Sequence, residues 1–349
     1  MNYRENILCA VRFEKPDYIP MIFHINPSCW NHYPSEFLQE LIATHRFLFP
    51  ELNGSQQMEV KYQPFAQVEK PFIDGWGCVW QTTENGITGT VVEHPLKTWD
   101  AFDKYSSPDP MIDSGRGKVD WDQVAHDFET AAANNKLAMG GVRHGHTFLT
   151  LADIRGYENL MFDMTDNDTR LWKLIEMVEI FNTQIVQRYI QAGAEWMSYP
   201  EDLGMQVGPM ISPNHFRKYI KPSYQRLMAM GHDAGCIVYM HSDGDIRDLV
   251  DDLIDGGVAV MNLQDIANGI DWIKDKLADK ICIDLDIDRQ KVTRFGTPDV
   301  IDDLILNEIK TLGSKQGGLM MIYGLYPGIP IENVKALMDA MQRYSTYFS

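Results

Sequence analysis

The densest group of reactive side chains follows an apolar run, in residues 238–245 (VYMHSDGD). Residues two apart on a strand end project to the same side, so His241 and Asp243 can address one point. Glu201 from a neighbouring strand would complete an imidazole and carboxylate set that suits zinc or another divalent metal with an open position. The sequence therefore predicts Glu201, His241 and Asp243 as metal ligands and catalytic residues. The alternative is a hydrogen-bonded His241, with Asp243 capping a helix that begins near Ile246.

Two further pairs of titratable residues admit two interpretations each. Glu201 and Asp202 are adjacent acids, and they can share acid–base work when burial raises the pKa of one while the other stays ionised. Alternatively, one binds a backbone turn and the other faces water. His144 and His146 share a face if the chain is extended there, and can bind an anionic substrate or serve as acid and base. The alternative for this pair is two ordinary loop histidines.

Short apolar strands that alternate with helices must position these residues. This alternation is regular from about residue 120, and it indicates parallel βαβ units. With one strand near the N-terminus, seven strands are predicted, at residues 18–23, 137–141, 196–200, 237–241, 259–263, 281–285 and 319–323. This number is close to the eight strands of a closed barrel, so we predict an α/β fold of the (β/α)8 TIM type, regular or distorted. A doubly wound open sheet is the alternative.

Residues 58–92 have a different pattern, in which polar and apolar residues alternate between frequent glycines. Such a pattern predicts antiparallel strands that decorate the barrel. We expect residues 1–349 to form a single barrel domain, with about 60–95 as the decorating segment, although the length also allows two ordinary domains.

The carboxyl ends of the barrel strands are where functional groups are expected, because the βα loops of such barrels carry the active site. Polar residues at these junctions are therefore predicted to bind substrate, and they are His24, Asn26, His144, His146, Gln264, Asp284 and Tyr323.

The composition indicates which binding partners and which cellular compartment to expect. The chain has 31 Lys and Arg against 49 Asp and Glu, a formal charge of −18 at pH 7. Such a surface repels phosphate backbones and anionic lipid, so we expect no nucleic acid or membrane partner. The five cysteines never form CxxC, which is typical of a reducing compartment, and the first residues lack a signal-peptide pattern. We predict a cytoplasmic protein with a small-molecule substrate.

Motifs in order along nearly the whole chain resemble those of the uroporphyrinogen decarboxylase and methylcobamide methyltransferase superfamily. Residues 12–20 (RFEKPDYIP) match its opening "R-x-x-P-D-R-x-P", and residues 74–77 (DGWG) and 94–96 (HPL) match its "D-x-W-G … H-P-L". Residues 241–246 (HSDGDI) match its "H-x-C/D-G-x-I". Its C-terminal "G-T-P-E-E-V … G-G … V-P-x-E-N" is matched by residues 297–300 (TPDV), 317–318 (GG) and 329–334 (IPIENV). The resemblance implies a barrel fold, in agreement with the strand count.

The superfamily contains two chemistries. True uroporphyrinogen decarboxylases carry an arginine-rich "R-Q-A-G-R" after the first strand, but residues 24–28 here read HINPS. A highly anionic substrate would be poorly held without these guanidinium groups. Thiol-activating methyltransferases bind zinc through "H-x-C" and a later cysteine, and these positions correspond to His241, Asp243 and a place near Tyr323. Some O-demethylating relatives carry acidic substitutions and an "E-D-L-G" segment like residues 201–204.

The resemblance therefore favours a corrinoid-dependent methyltransferase, with an O-demethylase component as one form. It implies zinc near His241, Asp243 and Glu201, acting as a Lewis acid on an ether oxygen. It also implies a methylcobamide supplied by a separate corrinoid protein, because the chain lacks a "D-x-H-x-x-G" motif, and a homodimer. The alternatives are a metal-free decarboxylase acting on a tetrapyrrole or a smaller carboxylated substrate, and a non-catalytic barrel that binds a ligand.

Overall fold

The architecture is that of a computed structural model, which describes residues 1–50 and 60–349. The strands in these ranges are β1 (Met21–Ile25), β2 (Phe72–Ile73), β3 (Val79–Gln81), β4 (Thr90–Glu93), β5 (Met139–Gly141), β6 (Trp196–Pro200), β7 (Ile237–Ser242), β8 (Val260–Gln264), β9 (Cys282–Asp286) and β10 (Leu319–Leu325). Seven form one sheet in the order β1-β10-β9-β8-β7-β6-β5, and β2-β3-β4 form another. The pairs β1–β10, β10–β9, β5–β6 and β6–β7 are parallel.

Helices connect the strands. In the same two ranges they are α1 (Tyr3–Arg12), α2 (Cys29–His32), α3 (Ser35–Thr44), α4 (Trp121–Ala133), α5 (Phe148–Arg155), α6 (Tyr157–Asp166), α7 (Thr169–Gln191), α8 (Pro213–His215), α9 (Lys221–Asp233), α10 (Val250–Ile254), α11 (Asp265–Asn268), α12 (Ile270–Leu277), α13 (Val292–Phe295), α14 (Pro298–Leu312) and α15 (Ile331–Tyr344). No helix in the described part of the chain is long and apolar enough to cross a membrane.

The seven predicted strands are the seven strands of the larger sheet, so the predicted α/β class is confirmed. The shortest, β5, keeps only Met139–Gly141 of the five predicted residues. Within the described ranges this sheet has one strand fewer than the eight of a regular (β/α)8 barrel.

The predicted antiparallel segment is also present, as β2, β3 and β4. It depends on Asp74, whose buried carboxylate accepts hydrogen bonds from the amides of Trp76 (3.0 Å) and Cys78 (2.9 Å) and from the indole of Trp80 (2.9 Å). These bonds close the turn between β2 and β3. Met58, where this segment was predicted to start, lies outside the described residues.

The described residues fall into two compact units. The first unit contains residues 1–68, 82–88 and 262–349, and the second contains residues 69–81 and 89–261. Each has its own apolar core, which includes fully buried Met321 and Leu337 in the first unit and Phe148 and Leu174 in the second. A single domain over residues 1–349 stays a prediction.

Candidate functional site

The ends of β6 and β7 position the residues of the candidate site in the second unit. The two strands are in register, so Pro200 is level with His241. Side chains alternate between the two faces of a strand. Tyr199 is fully buried, whereas Pro200 and His241 are partly exposed. Following this alternation, Asp202 lies on the same face as His241, and Glu201 lies on the buried face.

Three side chains converge on the exposed face, and we call His144, Asp202 and His241 the His–Asp cluster. Oδ1 of Asp202 lies 3.3 Å from Nε2 of His144 and 3.4 Å from Nε2 of His241. One potential ligand atom from each residue lies within 4.8 Å of the others. Asp243 is at the edge of the cluster, with its Oδ1 3.9 Å from Nε2 of His241. The cluster thus gathers two imidazoles and a carboxylate around one point.

The charge at the centre of the cluster is held by Asp202, whose side chain is 31% exposed. Burial alone would raise its pKa, but hydrogen bonds and charge interactions with His144 and His241 hold the pKa of this carboxyl well below its usual range. The amide of Asp243 also donates to Oδ1 at 3.2 Å. Asp202 is therefore ionised at neutral pH and can attract a cation.

The predicted ligand set is brought together only in part. His241 and Asp243 are close, as their spacing predicted, but Asp202 takes the place predicted for Glu201. The reason is that adjacent residues point to opposite faces, so only one of the two acids can face His241. Asp243 also caps no α-helix after β7, because α10 begins at Val250 with Leu249 as its N-cap.

Glu201 is fully buried and lies at the N-terminus of α5. Its carboxylate accepts hydrogen bonds from the amides of Leu149 (2.7 Å) and Thr147 (3.3 Å) and from the hydroxyl of Tyr224. Burial raises the pKa of Glu201, while these donors oppose the shift. Because the N-cap residue of α5, Thr147, makes no side-chain capping bond, Glu201 supplies the acceptor that this helix end needs.

The two neighbouring histidines point to different places. Gly145 between them has φ of 78°, in the left-handed region that favours glycine. His144 belongs to the His–Asp cluster, whereas His146 is buried, with Nδ1 2.6 Å from the hydroxyl of Thr147 and Nε2 3.7 Å from Glu201. Burial lowers the pKa of His146 to about 3, so its ring is neutral. The extended chain on which a shared face depended is not present here.

The loops after β6 and β7 are locked together by their backbones. The amide of Gly204 donates to the carbonyl of Asp243 at 3.2 Å, and the amide of Asp245 donates to the carbonyl of Met205 at 2.8 Å. A Cβ atom on Gly204 would lie 2.5 Å from the nitrogen of Asp245, and one on Gly244 would collide with the backbone of Gly204. Neither glycine can therefore carry a side chain unless the loops separate.

The other predicted substrate-binding residues belong to the first unit. His24 lies on β1 with an exposed side chain, Gln264 is the last residue of β8, and Asp284 lies buried on β9. Asn26 follows β1, and its Oδ1 accepts hydrogen bonds from the amide (2.9 Å) and hydroxyl (2.7 Å) of Ser28. Asn26 therefore stabilises a turn.

Tyr323 has a similar structural environment on β10. It is fully buried, its hydroxyl donates to Thr293 Oγ1 at 3.1 Å, and its ring centroid is 5.2 Å from that of Phe23. Tyr323 thus packs in the core of the first unit.

Two important residues were absent from the predicted site. Asp202 was weighed only as a partner of Glu201, because the sequence does not give the register between β6 and β7 that places Asp202 on the face of His241. Tyr224 lies on α9, and no short sequence pattern connects it with Glu201. Only the packing of α9 against β6 reveals that contact.

Comparison with known proteins agrees with this fold. Residues 75–344 match the family model described as uroporphyrinogen decarboxylase (URO-D). Uroporphyrinogen decarboxylases from Prochlorococcus marinus strains NATL1A and NATL2A are 23% and 22% identical to this chain over 168 residues. These matches cover 45% of this chain and 46% of each relative, so the chain spans about half the length of the curated relatives it matches.

A solved structure extends the similarity to the whole chain. A methyltransferase from Methanosarcina mazei has a TM-score of 0.68 and 17% sequence identity, with 98% of both chains covered. The fold is therefore of the TIM-barrel type, as predicted, and not a doubly wound open sheet. Because the family model covers most of the sequence, this chain belongs to the uroporphyrinogen decarboxylase (URO-D) family.

Proposed function

We propose that this chain is a metal-dependent methyltransferase, which moves a methyl group between a small molecule and a corrinoid carried by a partner protein. The observation that carries the proposal is the convergence of His144, Asp202 and His241 within 4.8 Å. No other trio of His, Cys, Asp or Glu in residues 1–50 and 60–349 meets this spacing. The descriptions of the family and of the structural relative are both those of enzymes.

The donor atoms of the His–Asp cluster fit zinc. Zinc bonds to imidazole nitrogen and carboxylate oxygen measure about 2.0–2.2 Å, so ligands at tetrahedral angles lie about 3.4 Å apart. The distances from Asp202 Oδ1 to the two Nε2 atoms are 3.3 and 3.4 Å. Two imidazoles and one carboxylate, with a fourth position open, are also a donor set used by catalytic zinc.

Each side chain of the cluster would have one role in binding the metal. His144 and His241 would hold the metal through Nε2 and Asp202 through Oδ1, while Asp243 lies beside His241. When bound there, the metal supplies a Lewis acid that makes an ether oxygen a better leaving group. The side chains of His144 and His241 are 40% and 20% exposed, which leaves one side of the cluster open to a substrate.

Two features support methyl transfer from a methyl ether. The segment after β1, residues 24–28, has no arginine to hold a polycarboxylated ring. The position that holds a cysteine in thiol-activating relatives is Asp243, at the edge of the cluster, and the cluster itself offers nitrogen and oxygen donors only. We therefore propose an O-demethylation reaction, with an aryl methyl ether as methyl donor and a protein-bound corrinoid as acceptor.

The test is elemental analysis of the full chain purified without chelator, with wild type beside His241→Ala. We expect about one zinc per chain in the wild type and less than about a tenth of that in the variant. His232→Ala is the matched control, because His232 also neighbours an aspartate, at 3.4 Å, but on the exposed surface of α9. A wild type without metal, or a His241→Ala variant with full zinc, would contradict the proposal.

The second candidate is a carboxy-lyase, which the family description and the Prochlorococcus relatives favour. Asp and His side chains of the cluster would then protonate and stabilise an electron-rich ring without a metal. Release of CO2 from a carboxylated tetrapyrrole by metal-free protein would support this candidate. Isothermal titration with no tetrapyrrole binding would rule out a tetrapyrrole substrate and leave only a smaller carboxylated one for this candidate.

A further inference from the structure

A short segment connects the His–Asp cluster to α5. Only residues 145–147 separate His144 from Phe148, the first residue of this helix. Three residues of chain span at most about 10 Å, so a shift in the start of α5 must move the backbone that carries His144. The position of His144 therefore depends on what fixes the N-terminus of α5.

Glu201 fixes this N-terminus from the buried face of β6. Its carboxylate accepts hydrogen bonds from the amides of Thr147 and Leu149, at the beginning of α5. Tyr224 on α9 donates its hydroxyl to the same carboxylate. These donors offset the free-energy cost of burying the negative charge. The carboxylate in turn accepts hydrogen bonds from helix amides that would otherwise lack an acceptor.

Other contacts hold the earlier part of the segment. The amide of Gly145 donates to the carbonyl of Pro200 at 2.9 Å, and Arg116 donates to the carbonyl of His144 at 3.3 Å. These contacts act on His144 and on the first residue of the segment, Gly145, whose carbonyl also accepts from the hydroxyl of Thr150 at 2.5 Å. Nε2 of His146 forms no hydrogen bond with the described residues, but the carbonyl of His146 accepts from the side-chain amide of Asn182 at 2.7 Å and its ring centroid lies 4.9 Å from that of Tyr224. Asn182 therefore holds the middle of the segment, while Glu201 holds its last residue, Thr147, and the first turn of α5.

We infer that Glu201 is a positioning residue for the metal centre: it anchors the start of α5 so that the ring of His144 reaches Asp202 and His241. This inference rests on the proposed function. Glu201 and Asp202 are adjacent, so one strand end supplies a ligand on one face and the support for another ligand on the opposite face. Polar groups that orient metal ligands typically change metal affinity 10- to 100-fold when they are removed.

The test is a titration of metal-free full-length protein with Co2+, followed by its visible absorption bands. We expect Glu201→Gln to weaken Co2+ binding about 10- to 100-fold and to reduce the intensity of these bands, because an NH2 group would replace the oxygen that accepts from the Tyr224 hydroxyl and the neutral carbonyl would bind the two backbone amides less strongly. Asp120→Ala is the matched control, since Asp120 caps α4 in the same unit through the amides of Asp122 and Gln123. It should lower Tm and leave Co2+ affinity within about twofold of wild type.

A second variant covers the case in which Glu201→Gln fails to fold. Tyr224→Phe removes one donor to Glu201 and keeps the ring, and we expect the same weakening of Co2+ binding, but smaller. Wild-type affinity and spectrum in folded Glu201→Gln, or in Tyr224→Phe when Glu201→Gln does not fold, would overturn the inference.

A metal-independent measurement separates this inference from the proposed function. A crystal structure of metal-free Glu201→Gln protein, or of Tyr224→Phe in its place, should show the His144 ring beyond hydrogen-bond distance of Asp202. A ring that stays in place would overturn the positioning role. A wild type that binds no Co2+ would instead overturn the metal centre, and the crystal structure would still decide the role of Glu201.

Discussion

Glu201 in the second unit and Glu308 in the first unit are equally buried, each with no exposed surface, but their surroundings are opposite. The carboxylate of Glu201 accepts hydrogen bonds from two amides and a hydroxyl. Neither oxygen of Glu308 accepts a hydrogen bond from a nitrogen or hydroxyl donor in the described ranges. Burial alone therefore says little about what a glutamate does, because the neighbouring donors decide its charge.

Glu308 lies on α14, and the group that faces it is a second acid, Asp265. Burial, and then the charge of Asp265, raise the pKa of Glu308 well above its usual range, and Asp288 acts in the same direction. Asp265 itself accepts a hydrogen bond from the amide of Asp288 at 2.9 Å. Two buried carboxyls that face each other are most stable when one of them is protonated, so we expect Glu308 to be neutral and to share its proton with Asp265.

The largest effect expected from this comparison concerns Glu201. Glu201→Ala should lower the free energy of unfolding by about 3–5 kcal/mol, because two amides and the Tyr224 hydroxyl would be left buried without an acceptor. Asp202→Ala, one residue away but partly exposed, should cost about 1 kcal/mol or less. Urea unfolding of both variants measures the difference, and equal losses would show that the buried contacts of Glu201 are not stronger.

The same substitution should have opposite consequences at the two glutamates. Glu201→Gln should cost about 2 kcal/mol, because the amide group must present a donor to other donors. Glu308→Gln should be neutral or stabilising at pH 8, since the glutamine donates to Asp265 without needing a proton. Denaturant midpoints at pH 8 measure both changes, and a loss at Glu308 as large as at Glu201 would contradict the shared proton.

The last expected effect is a pH dependence that belongs to Glu308. A carboxyl whose pKa is raised on folding contributes stability that is fully present below its unfolded pKa, about 4.3, and is lost as pH rises towards the folded pKa. The slope is at most about 1.4 kcal/mol per pH unit for one proton. Unfolding free energies of wild type and Glu308→Gln from pH 5 to 8 should therefore converge at low pH and separate at high pH. Parallel curves would contradict a neutral Glu308.

The sequence was informative where a pattern is local or regular. All seven strands of the larger sheet were predicted, because apolar runs between helices reflect burial on both faces of a parallel sheet. The proximity of His241 and Asp243 also followed from their spacing. The choice between Glu201 and Asp202 did not follow from the sequence. Strand alternation shows that these two side chains point to opposite faces, but it does not show which of them faces His241.

Contacts between distant residues were beyond such patterns. The turn at Gly145, which separates His144 from His146, depends on a backbone conformation that the glycine permits but does not require. The contact of the Tyr224 hydroxyl with Glu201 depends on how α9 packs. The pairing of Asp265 with Glu308 depends separately on how α14 packs. Side chains brought together in this way are separated by 23 positions or more.

The glycine contact between the loops after β6 and β7 has a consequence for ligand affinity. Because Gly204 and Gly244 touch through their backbones, the two loops have few conformations to lose. Ordering a loop on binding costs roughly 1–2 kcal/mol of conformational entropy per residue. The loops that carry Asp202 and His241 have already lost this conformational entropy on folding. A ligand that binds these two residues therefore loses less free energy in ordering the loops and binds more tightly.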